Sequence, residues 1–149
     1  MSIKRYILGP EGQLHFRRSD NSEPSDNGLL CFHMSPYSSI IYENLLDEAK
    51  SLDKDVTAID TPGFGNSDRP TSPPSIESYA ISMISFIDTF KINKINLMGY
   101  HTGSKIALEI AKQIPDRINK IILVSAPIFT DEECAEMKNM YLKKDHLLS

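Results

Sequence analysis

Between residues 29 and 125 the apolar pattern switches period repeatedly, and that alternation leaves few architectures open. Leu29–Met34 is a short unbroken apolar run, as expected of a strand buried on both faces. Ser38–Leu52 carries Ile41, Leu45, Leu46, Ala49 and Leu52 at helical spacing, with Ser38 or Ser39 placed to cap it. Asp55–Asp60 reads as a strand around Val56, Ala58 and Ile59. Ile76–Ile92 sets Ile76, Ala80, Met83, Ile87 and Phe90 on one helical face. Ile95–Met98 is a strand running into Gly99, Gly103–Ile114 a helix closed by Pro115, and Lys120–Ser125 a further apolar strand. Thr130 with Glu133 three residues on forms a capping box that opens another helix. Ahead of this series, Ile3–Leu8 and Gln13–Arg18 flank the turn signal Gly9-Pro10-Glu11-Gly12 and read as a hairpin. The alternation predicts an α/β fold: a mostly parallel sheet of about six strands, its first hairpin antiparallel, with helices on both faces.

In such a sheet ligands lie beyond the carboxyl ends of the strands. That directs attention to Met34–Ser35, Asp60–Ser67, Gly99–Gly103 and Ser125–Thr130. Two stretches read as loops: Ser19–Gly28, rich in Ser, Asp, Asn and Pro, and Thr61–Ser75, which holds Pro62, Pro70, Pro73 and Pro74. Charge narrows the partners. Sixteen basic and 20 acidic residues leave a net charge of −4, the wrong sign for a nucleic-acid surface. No apolar run approaches the ~20 residues that span a bilayer, and Met1–Tyr6 is followed by no apolar segment of a secretion signal. Cys31 and Cys134 read as two free thiols, which together with the missing signal predicts a cytoplasmic protein. No spacing of Cys and His suits a zinc site, and no dinucleotide fingerprint is present.

The segment Gly99-Tyr100-His101-Thr102-Gly103-Ser104 is the most informative. It follows a strand and opens a helix, with a glycine two positions to either side of His101. A sharp strand-to-helix turn strains its central residue and packs the neighbours so tightly that only small ones fit. The same turn raises the central side chain above the sheet and aims helix N-terminal N–H groups, Thr102's among them, at that space.

Four segments in order carry a resemblance to the α/β-hydrolase fold superfamily, in the branch of haloalkane dehalogenases and epoxide hydrolases. His33-Met34-Ser35-Pro36 resembles the His-Gly-x-Pro oxyanion loop of that family. Asp60-Thr61-Pro62-Gly63-Phe64-Gly65-Asn66-Ser67 resembles its Asp-x-Pro-Gly-x-Gly-x-Ser loop, and Gly99–Gly103 its nucleophile elbow. Pro115-Asp116-Arg117-Ile118 with Ile121–Pro127 resembles the Pro-Asp-Arg-Val segment and the sixth strand. The resemblance implies cofactor-independent hydrolysis of a small ester, epoxide or halide, with no metal. It places His101 where the family has Ser, Asp or Cys, gives oxyanion N–H groups to Thr102 and Ser35, and lets His33 order the oxyanion loop. Met34 stands where the family has glycine. A complete member is close to twice this length. The resemblance therefore assigns residues 1–128 to the N-terminal part of a hydrolase domain, its motif-bearing core being 29–127, and 129–149 to the start of a cap segment.

Two alternatives accompany these assignments. As a chemical group His101 is either a nucleophile or a base for water, or else marks a degenerate elbow in a non-catalytic binding module or gene fragment. Asp131 and Glu132 follow the sixth strand, where some members of the family carry a triad acid, and His146 is the one histidine late enough to suggest a triad base; the plainer readings are first-turn acids that complement a helix dipole and a solvated residue of a polar tail. Asp60-Thr61-Pro62-Gly63 lacks the phosphate loop that a GTPase switch requires, so Asp60 is expected to hydrogen-bond its own loop. Ile121-Ile122-Leu123-Val124 suits a strand that is interior and paired on both sides in the complete fold. With nothing to pair its outer edge, self-association through that edge is expected.

Overall fold

The computed structural model describes residues 2–136. Six strands form one sheet: β1 (Ile3–Gly9), β2 (Gly12–Arg18), β3 (Leu29–Phe32), β4 (Val56–Ile59), β5 (Ile95–Tyr100) and β6 (Ile118–Val124). Their spatial order is β1-β2-β4-β3-β5-β6. The hairpin is antiparallel, and β2 also meets β4 antiparallel; the β3–β4, β3–β5 and β5–β6 pairs are parallel. This is the α/β architecture expected, with Pro10 and Glu11 alone between β1 and β2.

Alternation along the strands divides the core. Leu30, Phe32, Ile95 and Leu97 face α2 (Ile76–Thr89) and α3 (Thr102–Gln113), in a cluster that also holds Met83, Phe86, Ile106 and Ile110. Cys31, Val56 and Ala58 face the other way, against Tyr42, Leu46 and Ala49 of the segment containing α1 (Glu43–Ser51). Helices thus cover both faces, as parallel strands require. Cys31 is fully buried, which pushes its thiol up to about 12, whereas Cys134 is exposed; neither forms a disulfide.

Two local expectations are corrected. The helix expected over Ser38–Leu52 divides into a 3-10 turn at Ser39–Tyr42 and then α1. Neither serine hydroxyl caps it; the Ser39 N–H is instead bound by the Asp60 carboxylate at 2.6 Å. The cap comes from a distant strand end, which local spacing does not reveal. Among the described residues β6 lies at the edge of the sheet, and Ile122 and Leu123 are 48% and 41% exposed. The Thr130–Glu133 capping box forms as expected, with reciprocal bonds of 2.8 and 3.2 Å. His146 lies outside the described residues.

Close approach places α3 over the strand ends. A Cβ on Gly103 would overlap the Phe32 carbonyl at the end of β3, and one on Gly99 would overlap the backbone of Gly103 and Ser104. Neither obstacle is a side chain that can move aside. We therefore expect Gly103→Ala to cost about 3 kcal/mol or more, the upper end of core overpacking. Urea unfolding measures it, and a loss below about 1 kcal/mol contradicts the packing described here.

Candidate active site

Three loops meet beyond the carboxyl ends of β3, β4 and β5. At the end of β5 the chain turns directly into α3, and His101 occupies the turn with φ 51° and ψ −111°. A positive φ at a non-glycine residue is uncommon and is held only where the surroundings fix it. The His101 N–H donates to the Val124 carbonyl at 2.9 Å, and the His101 carbonyl accepts from the Ser104 N–H at 2.9 Å. Ser104 Oγ, buried, donates to the Gly99 carbonyl at 2.8 Å. The central residue is thus clamped by backbone, while its side chain is exposed.

The loop after β3 approaches from the side. The Ser35 N–H donates to Thr102 Oγ1 at 3.5 Å, and Thr102 Oγ1 lies 3.4 Å from His101 Nδ1. His101, Thr102 and Ser35 are therefore brought together, as the sequence predicts. His33 stands buried beside them and hydrogen-bonds elsewhere, to Met34 and Thr61. Its Nδ1–H donates to the Met34 carbonyl at 2.9 Å, and its Nε2 accepts from the Thr61 N–H at 3.1 Å. Burial pushes His33 below its ordinary value, against the Met34 hydrogen bond and the nearby Asp60 charge. A neutral imidazole with one donor and one acceptor fits both bonds. Phe64 packs edge-on to this ring at a centroid distance of 5.7 Å, so the β4 loop enters the site through His33.

Sequence reasoning did not find the group that fixes these loops. Asp60 bonds its own loop as expected, accepting from the Asn66 N–H at 2.9 Å, but it also accepts from Ser39 and from His15 Nδ1 at 2.7 Å. His15 is fully buried, and its Nε2 has no hydrogen-bond partner. On β2 it alternates with inward-facing Leu14 and Phe16, so the period-two pattern assigns it to solvent and gives no signal. Gly65, at φ 55°, is required where a Cβ would overlap the Asp60 carboxylate. Asp131 lies exposed on the helical residues 131–136 and makes no hydrogen bond to His101.

A strained strand-to-helix turn beside the loop after β3, at the carboxyl ends of parallel strands, defines an α/β-hydrolase-type scaffold. The family profile for the alpha/beta hydrolase fold matches residues 28–146, and the chain belongs to that family. A haloalkane dehalogenase of Mycolicibacterium paratuberculosis is 26% identical over 102 residues, covering 65% of this chain and 33% of that protein. A poly(3-hydroxyalkanoate) depolymerase of Ectopseudomonas oleovorans is 30% identical over 81 residues, covering 52% and 28%. Among solved structures, the epoxide hydrolase CorEH aligns with a TM-score of 0.77 at 14% identity, over 95% of this chain and 51% of its own. The N-acyl homoserine lactonase AidH complexed with N-butanoyl homoserine aligns at 0.74 and 23%, over 84% and 45%. The match thus spans about half of these solved chains and a third or less of the two curated proteins.

Burial favours protonation of Asp60, yet the hydrogen bonds from His15, Ser39 and Asn66 outweigh it and hold the carboxyl well below the ordinary range. A carboxyl depressed in the folded state contributes stability above its unfolded value, about pH 4, and that contribution is lost as pH falls. A side-chain amide at this position offers one acceptor oxygen to three donors, so Asp60→Asn should cost about 2 kcal/mol at neutral pH. It should also flatten the loss of stability below about pH 4. Denaturant midpoints taken across the acid range check both; an unchanged acid limb would remove Asp60 from this role.

Proposed function

We propose that the protein supplies the elbow and oxyanion side of a cofactor-independent hydrolase site for a small ester, epoxide or halide. In this reading His101 stands in the nucleophile's place, the backbone N–H groups of Thr102 and Ser35 stabilise developing negative charge, and His33 orders the Ser35 loop. The observation that carries it is the strained His101 turn held beside the Ser35 loop at the mouth of the sheet. The kinship with dehalogenases and epoxide hydrolases agrees with it.

The site as described lacks a relay. Among the described residues, Thr102 is the one hydrogen-bond partner of the His101 ring. His15 and His33 are buried and bonded to Asp60 and to Met34 and Thr61. A triad loses most of its rate when members are missing. Steady-state turnover of activated short-chain esters by the 149-residue chain should therefore stay within about twofold of buffer. Sustained turnover that His101→Ala abolishes would show a complete site and overturn this expectation. The same lack of an acid or second base favours a non-catalytic binding role as the second reading; saturable binding of a small carboxylate without any acyl chemistry would select it.

The proposal includes association. β6 presents an unpaired edge among the described residues, with Ile122 and Leu123 exposed at its centre. Unpaired strand edges with apolar side chains add further strands. Size-exclusion chromatography with light scattering should find dimers or larger species, and a monomer at all concentrations would refute it.

A further inference from the structure

The hydroxyl nearest the elbow imidazole belongs to Thr102, the first residue of α3. Thr102 Oγ1 accepts from the Ser35 N–H at 3.5 Å and lies 3.4 Å from His101 Nδ1. In the tautomer that carries its proton on Nε2, His101 Nδ1 is an acceptor, and the Thr102 hydroxyl, already accepting from Ser35, donates to it. His101 then carries its own proton on Nε2, and its basic lone pair is committed to the hydroxyl. Thr102 itself is half-buried, beside the exposed His101. Nucleophile-to-base contacts of this kind are often long without substrate and tighten when it binds.

We propose that Thr102 Oγ1, displaced one residue from the elbow centre, is the acyl-accepting nucleophile of this site and that His101 is its base. The inference rests on the hydrolase-type reading above and names the atom that reacts. Thr102 Oγ1 bonds to the carbonyl carbon of an ester while the bond from that carbon to the leaving oxygen breaks. The hydroxyl proton passes to His101 Nδ1 and from there to the departing alkoxide or phenolate. The products are an acyl-threonine and the free alcohol, so atoms and charge balance without a further reagent. No carboxylate bonds the imidazole among the described residues, so neither acylation nor hydrolysis of the acyl-threonine is strongly assisted. An activated leaving group speeds only the first step, and the acyl group accumulates.

The test is 4-nitrophenyl butyrate added to the 149-residue chain, followed by nitrophenolate release, intact mass and peptide mapping. A burst of one equivalent and one butyryl group on Thr102 are expected. Thr102→Ser should keep the burst and Thr102→Val should lose it, with circular dichroism showing both folded. His101→Gln should slow the burst about 100-fold, the lower range for loss of a general base. A butyryl group on His101, cleaved by neutral hydroxylamine and still formed in Thr102→Val, would overturn the inference while leaving the hydrolase-type reading intact. Slow labelling spread over surface lysines, equal in every variant, would overturn both.

Discussion

One buried carboxylate determines where the loops of the site lie. Asp60 receives His15 from β2, the Ser39 N–H from the chain leading into α1, and the Asn66 N–H from its own loop. The backbone reinforces it: the Asp60 N–H donates to the His15 carbonyl at 2.9 Å, and Ser67 Oγ donates to the Asp60 carbonyl at 2.7 Å. Thr61, the next residue, holds His33 Nε2. Order therefore runs without a gap from the hairpin, through Asp60 and Thr61, to the Met34 carbonyl beside Ser35. Within a low-dielectric interior such a network is stiff when each member is satisfied and costly when one is lost. The antiparallel hairpin thus contributes His15, and through it the placement of the Ser35 loop.

The same network explains why the fold is more legible than the site. Helix and strand periods follow from which face is buried, and they identify each strand from β3 to β6 with its connecting helix. The elbow is legible because steric exclusion at Gly99 and Gly103 is written in residue type. The link from His15 to Asp60 spans a separation of 45 residues and uses no local pattern. Ser39 illustrates the same limit. Its type suggests a side-chain cap, yet it is its backbone N–H that is bound, by an acid from the end of β4. β6 marks a related limit: composition records how apolar a strand is and not whether a neighbour lies beside it.

The elbow is held by atoms that do not depend on the side chain at its centre. Gly99, Gly103 and Ser104, together with the Val124 carbonyl, hold the turn, while the His101 ring projects outward and meets one hydroxyl at long range. The position is therefore mutationally permissive with respect to folding. Side-chain exchanges at residue 101 can change the reactivity on offer at little structural cost. Changes at the glycines that frame it act on the fold instead, because a Cβ there meets backbone. Such a frame separates what keeps the fold from what stands at the turn, so that an exchange at residue 101 leaves the scaffold standing.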